Sequence, residues 1–272
     1  DTLKAILNLN IFQISKSLND VNEKELIEPH LIQLYNRFAT YNGSSPYKTP
    51  GMMTLIQHLE QEYGTYVVEK GMVDITNALF KLAKRKGVVF KFNENVSKIL
   101  VENKKAIGIQ LKNKKYYSDY VVSNMDVVPT YDKLLKDQKK PTIVLNQERS
   151  SSAIIFYWGV KKEFPDLDLH NIFFSDNYKK EFDSIFNKKE VYNDPTIYIN
   201  ITSKDLPSDA PKNSENWFVM INSPNNENQN WKTITNDLRK NVIKKINNIL
   251  KTDLMPFIEE ERVYTPQDIE LK

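Results

Sequence analysis

VSKILVENKKAIGIQLKNKKYYSDYVVSN, residues 96–124, alternates short apolar runs with clusters of lysine, asparagine and glutamate. Polar breaks at 102–105 and 112–115 divide it into three strands, each too short to be a helix. Just upstream, MVDITNALFKLAKRKG (72–87) sets Ile75, Leu79 and Leu82 on one helical face and ends on Gly87, a glycine stop. VVFKF (88–92) follows directly and reads as a further strand, as does the apolar run at 121–124. Helix, strand, meander and returning strand make one α/β unit.

Working outward toward the N-terminus, residues 2–18 and 24–40 carry helical periodicity, the second with Leu31, Leu34, Tyr35 and Phe38 in register and Pro29 in its first turn. FATYNGSSPYKTPGMM (38–53) interrupts that pattern. Asn42-Gly43, Ser45-Pro46 and Pro50-Gly51 are turn-forming pairs, and by spacing alone the segment is an interhelical loop. Met53, Ile56, Gln57 and Glu60 then predict a short helix stopping at Gly64. Toward the C-terminus, AIIFYWGV (153–160), TIYINIT (196–202) and NWFVMIN (216–222) are longer, aromatic strands. Ile197, Ile199 and Ile201 alternate with Tyr198, Asn200 and Thr202, which gives one aliphatic face and one amphipathic face able to meet a ligand. Trp231, Ile234, Leu238, Val242, Ile246 and Ile249 predict an amphipathic helix over 231–250.

Composition removes several classes of chemistry. A net charge of +3 over 272 residues is too small to argue for nucleic acid, and the absence of cysteine excludes disulfides, thiolate metal sites and a cysteine nucleophile. Seven glycines never reach phosphate-loop spacing. His30, His58 and His170 are scattered and read as structural, with no metal-ligand pattern. Ser150, Ser151 and Ser152 precede a strand rather than forming a nucleophile elbow, and Asp166 and Asp168 belong to a turn. No run is long and apolar enough to span a membrane. The opening DTLKAILNLNIF and closing TPQDIELK both read as interior sequence, so a longer protein is expected. Residue by residue, this is a mixed α/β chain with an amphipathic aromatic sheet and no named reaction.

A family resemblance goes further. FATYNGSSPYKTPGMMTLIQHLE (38–60), GTYVVEKGM (64–72), VSKILVENKKAIGIQL (96–111) and VVSNMD (121–126) resemble the FAD-dependent carotenoid (phytoene) desaturases. SSSAIIFYWGV (150–160), LHNIFFSDNYKKEF (169–182), DPTIYINITSKDLPSDAP (194–211) and NWFVMIN resemble its 1-hydroxycarotenoid 3,4-desaturase and γ-carotene desaturase branch. The resemblance implies part of an amine-oxidase-like flavoprotein fold: a discontinuous FAD domain and a substrate domain with a mixed sheet and helices. By it, 1–62 and 131–262 are substrate domain, 63–130 the middle segment of the FAD domain, and 263–272 the start of the return. The family's glycine-rich flavin segments, N-terminal and C-terminal, have no counterpart here, so the chain alone is expected neither to retain FAD nor to turn over substrate.

The same resemblance implies FAD as cofactor and a carotenoid as substrate, with desaturation of carbon–carbon single bonds. Val96 matches a strand position whose backbone meets the adenine edge. Gly71 and Met72 match a Gly-Gly-Met turn in which Lys70 replaces the first glycine. Tyr41, Ser45, Pro46 and Tyr47 match a wall of the substrate cavity. No residue is singled out as catalytic, and the electron acceptor is not implied. A cytoplasmic enzyme resting on a membrane surface is expected, with Leu3, Ile6, Leu7, Ile11, Phe12 and Ile14 as its amphipathic patch. Alternatives are another polyene oxidoreductase or isomerase of the superfamily, including phytoene desaturase and retinol-saturase-like enzymes, and a non-catalytic carrier of apolar ligands.

Overall fold

The computed structural model describes residue 13 and residues 15–271, so the amphipathic positions Leu3 to Ile14 lie outside the described residues. The chain forms two compact units: residues up to Tyr66 joined with those from Arg149 onward, and Val67–Glu148 between them.

The first unit begins with α1 (Leu18–Glu25), opened by a capping box in which Ser17 and Asp20 exchange side-chain-to-backbone bonds, both 3.1 Å. Glu28 then caps α2 (Pro29–Asn36), with Pro29 at its first position. The continuous helix expected over 24–40 is therefore broken. It starts after an extended step at Leu26 and ends in a 3-10 turn, Arg37–Asn42, because Gly43 adopts the left-handed conformation (φ 57°). A buried triad joins the helices: Asn22 Nδ2 donates to Asn36 Oδ1 (2.9 Å), and Asn36 Nδ2 to Asn19 Oδ1 (2.8 Å).

The broken stretch 43–51 clasps α1 rather than looping free. Leu18 N–H donates to Thr49 O (2.7 Å), Asn19 N–H to Pro46 O (3.1 Å), and Gly51 N–H to Lys16 O (2.8 Å). Gly51 is needed for contact, since a Cβ there would lie 2.5 Å from Val21 Cγ2. α3 (Thr54–Tyr63) follows and ends at Gly64, φ 78°, as its sequence predicts.

The second unit holds α4 (Val73–Arg85) and an antiparallel meander, β1 (Lys98–Glu102), β2 (Lys105–Gln110) and β3 (Lys115–Tyr117). Asn103 and Lys104, both at positive φ, make the tight turn between β1 and β2. Gly108 is fixed by crowding: a Cβ would lie 2.1 Å from Tyr116 O. Residues 88–92 are not a strand, and neither are 121–124. A strand exists only as a pairing, and among the described residues nothing pairs with either run. Phe90 and Phe92 pack instead with Phe80 of α4, at centroid distances of 4.4 and 6.0 Å.

The chain then returns to the first unit to build a five-stranded sheet. Its strands are β4 (Ser152–Val160), β5 (His170–Phe173), β6 (Ile197–Asn200), β7 (Glu215–Ser223) and β8 (Ile258–Tyr264), in the order β5-β6-β7-β4-β8. Every pairing is antiparallel, where a mixed sheet was expected. α5 (Tyr178–Asp183) lies between β5 and β6, α6 (Trp231–Leu250) between β7 and β8, and α7 (Pro266–Glu270) follows β8.

One face of this sheet is the core. Ile154, Phe156, Trp158, Ile197, Ile199, Trp217, Val219 and Ile221 pack in one buried cluster with Trp231, Leu238, Val242 and Ile246 of α6. Each such side chain contributes about 1.5–3 kcal/mol of transfer free energy. Ile249, assigned to the same stripe by periodicity, is 46% exposed, and Leu250 and Leu254 close that end of the core. β8 was hidden by three consecutive glutamates. They are tolerated because it is an edge strand, where charge discourages further pairing. Glu261 is put to use: it accepts from Trp158 Nε1 (2.5 Å) and from Arg239 Nε of α6 (2.7 Å).

Candidate functional site

Alternation along the strands sends the other half of their side chains to the opposite face. Each of the five strands contributes one ring there, and the rings form an unbroken row. His170 (β5) stacks on Tyr198 (β6) at 6.0 Å; Tyr198 meets Phe218 (β7) edge-on at 6.4 Å. Phe218 meets Tyr157 (β4) at 5.4 Å, and Tyr157 meets Tyr264 (β8) at 5.8 Å. Five strands about 4.8 Å apart make the row roughly 19 Å wide. It is a flat, rigid, polarizable wall, suited to an elongated apolar molecule and carrying no catalytic dyad.

A groove of about 550 Å³ opens at the β5-β6 end of this face. Ile172, Tyr198, Met220 and His170 form its sheet side; Leu34, Arg37, Phe38 and Tyr41 enter from α2 and the 3-10 turn, and Glu60 from α3. A second hollow, about 500 Å³, lies on the same face toward Tyr157, Phe218 and Arg262. Local folding explains the first group. The 3-10 turn presents Arg37 and Tyr41 from successive turns, and Tyr35, Phe38 and Tyr41 stack along it at 6.2 and 5.9 Å. Gln33 Nε2 donates to Ser175 O (3.0 Å), tying α2 to the end of β5.

The groove is apolar with few polar atoms. Tyr41 donates to Glu60 Oε1 at 2.6 Å, and this bond, with burial, pushes the Tyr41 hydroxyl up to about 12, so it stays protonated. Tyr198 is raised by burial, and its hydroxyl lies 2.8 Å from His170 Nδ1. One terminal nitrogen of Arg37 is buried with no hydrogen-bond partner among the described residues. Nearby, the fully buried Glu181 accepts from Ser175 Oγ (2.7 Å), Thr196 Oγ1 (2.6 Å) and Thr196 N–H (2.9 Å). Burial raises its carboxyl above the ordinary range, although those bonds and the Arg37 charge pull the other way. Among the described residues no group of acidic or histidine side chains could hold a metal.

Of the positions matched to a cavity wall, Tyr41 lines the groove. Ser45 and Pro46 are buried in the clasp around α1, and Tyr47 packs edge-on against Phe182 at 6.5 Å. The structure does not bring those three to the groove. Gly71, Met72 and Val96 lie in the other unit. Gly71 takes φ 81° at the turn into α4, with open space where a Cβ would point; Met72 is 73% exposed. Val96 sits two residues before β1, half-buried, and forms no backbone hydrogen bond among the described residues. Arg37, Glu60, His170, Tyr198 and Met220 escaped the reading of the sequence, although the alternation around Tyr198 had marked its face as open to a ligand.

No family model matches the chain. It is 53% identical, over 99% of its length, to the 1-hydroxycarotenoid 3,4-desaturase of Flavobacterium sp. (strain P99-3), and covers 55% of that protein. It is 31% identical to the 4,4'-diapolycopene oxygenase of Methylomonas sp. and 32% identical to the 4,4'-diaponeurosporene oxygenase of Staphylococcus aureus (strain USA300), covering 54% of each. The chain thus spans about half the length of the curated relatives it matches. Its fold is shared with an oxidoreductase from Methanosarcina mazei: TM-score 0.61 at 16% identity, over 92% of this chain and 56% of that one. The mixed α/β fold and the unbroken match along the sequence make the chain similar, over about half their length, to the carotenoid desaturases and oxygenases.

Proposed function

We propose that this chain serves an FAD-dependent desaturase that introduces carbon–carbon double bonds into a carotenoid, and that the ring row with its groove is the wall against which the polyene lies. The observation that carries this reading is the sheet's second face. It joins five aromatic rings in register with an apolar groove, a surface that binds through shape and dispersion rather than charge. The carotenoids for which the relatives are named fit such a face.

The 67–148 unit fits a flavin nucleotide in two places. Among the described residues Val96 forms no backbone–backbone hydrogen bond, which suits a main-chain contact to an adenine edge, and Gly71 leaves a left-handed turn free of side chain. When bound, FAD supplies the two-electron acceptor that desaturation needs. The groove residues bind and orient the polyene and exclude water from it. Among the described residues no helix is long and apolar enough to cross a membrane. We place the working enzyme at the cytoplasmic membrane surface, where such a substrate dissolves.

The test is expression of the gene at its full encoded length in a host that accumulates acyclic carotenoids. The expected result is a yellow protein with flavin absorbance and a product lighter by two hydrogens per step. A protein without flavin absorbance that retains unchanged polyene would establish the carrier reading instead.

A further inference from the structure

Of the elements around the groove, α3 is held in an unusual way. None of its ten residues is buried, whereas α6 buries six. Met53 and, within the helix, Ile56, Gln57 and Glu60 are half-buried, while Leu55, Leu59 and Tyr63 are exposed. Hydrogen bonds stand where a core would be. Tyr41 Oη donates to Glu60 Oε1 (2.6 Å), and Gln61 Nε2 donates to Tyr35 Oη (2.9 Å). Both bonds are solvent-exposed, the kind that local opening breaks first. On the half-buried side Gln57 Oε1 has no partner among the described residues, so the closed position leaves an acceptor unmet. The two ends of α3 also differ. Ahead of it, Gly51 N–H is tied to Lys16 O, and crowding against Val21 leaves that end no freedom. Behind it, Gly64 takes φ 78° and ψ 175°, a conformation essentially confined to glycine, and a Cβ there would meet nothing nearer than Tyr66 Oη at 3.8 Å.

We propose that α3 is a lid on the groove, latched by Tyr41 on Glu60 and jointed at Gly64, which opens to admit the polyene and closes over it. The inference rests on the polyene reading above and deepens it by naming how the groove is entered. Glu60 and Thr65 line the groove from the α3 side and Tyr41 lines it from the 3-10 turn, so the latch ties two of its walls together. Breaking that bond frees one wall while the sheet side, held by its ladders, stays in place. A stiff polyene laid along a flat ring row needs a wall drawn aside, and the returning wall removes the water left beside the chain. The Tyr41 ring stacks on Phe38 at 5.9 Å, so the latch residue keeps its position whether the lid is open or shut.

The experiment uses the full-length gene product, with amide hydrogen exchange read in α3 and α6, and one acyclic polyene supplied in detergent micelles. Tyr41→Phe keeps the ring on Phe38 and removes the latch. Exchange in α3 should rise about tenfold, one hydrogen bond's worth, while exchange in α6 stays as it was. Tyr35→Phe, which cuts the second bond, should act in the same direction, and Glu60→Gln, which keeps an acceptor for Tyr41, should retain most of the protection. The polyene should slow α3 exchange in the wild type, and Tyr41→Phe should take it up faster. Exchange in α3 that neither tyrosine substitution moves, or that a polyene the enzyme turns over does not slow, overturns the inference and leaves the desaturase reading intact. A wild type that turns over no polyene overturns the reading itself, and the inference with it.

Discussion

The sheet unit and the 67–148 unit answer the same kind of sequence pattern differently. In α6 the periodic apolar residues are covered: Leu238, Val242 and Ile246 lie within a few per cent of full burial. In α4 the pattern is at least as clear, yet Leu79 is 61% exposed, Val73 60%, Leu82 44% and Ile75 43%. Periodicity states which face of a helix seeks cover. Whether cover exists depends on what packs there, and among the described residues the α4 face has none.

The largest expected effect breaks the comparison on its buried side. Trp158→Ala removes a nearly inaccessible indole and its bond to Glu261, and should destabilise the sheet unit by about 4 kcal/mol, read by denaturant unfolding. Tryptophan fluorescence reports on this unit selectively, because Trp158, Trp217 and Trp231 all lie in it.

Glu181 comes next. Glu181→Ala leaves Ser175 and Thr196 without their acceptor, at a cost of about 3 kcal/mol, whereas Glu181→Gln keeps an oxygen for the Thr196 N–H and should cost less than half of that. The sign of the pH dependence follows from the raised carboxyl. A folded-state acid weaker than its unfolded counterpart contributes fully below the ordinary glutamate range, and that contribution is lost as pH rises through the raised folded value. The wild-type minus Glu181→Gln difference in stability should therefore shrink from acid toward neutral pH, and a difference that grows instead would refute the assignment.

Gly71→Ala isolates backbone strain in the other unit. With nothing within 4 Å of the added methyl and φ at 81°, the cost should be conformational alone, about 1–2 kcal/mol, measured by hydrogen exchange in α4. Leu79→Ala should be smallest, within about 0.5 kcal/mol for this chain. If the full-length protein instead loses several kcal/mol with the same substitution, a partner surface covers α4 there, and the contrast between the units sharpens into evidence for that cover.

Where local rules acted alone, the sequence was a sound guide. Gly64 and Gly87 stopped their helices, Pro29 took the first turn of α2, and the two polar breaks of the meander fell between the strands seen. Errors came where a second segment had to take part. The run at 88–92 has strand composition but no ladder; 258–264 has a ladder but three glutamates that disguise it. The candidate site divides the same way. Tyr41 was reached through the family's cavity-wall stretch, while Arg37, His170 and Tyr198 are spread over 162 positions of sequence and meet only because β5 pairs with β6 and α2 lies over them. Ser45, Pro46 and Tyr47 belong to the same family stretch, and the left-handed Gly43 carries them away from the groove and into the clasp on α1.

The amino-acid order by itself determined the α/β class, the helix stops, the alternation that gives the sheet two unlike faces, and the kinship with carotenoid-modifying enzymes. Each of these is written within a few residues or in similarity along the chain. Tertiary structure alone decided that the five rings form one row and that a half-buried arginine and a tyrosine share a groove with them. Those facts depend on strand order and register, which are set by long-range pairing and by how well side chains from distant segments fill a common volume.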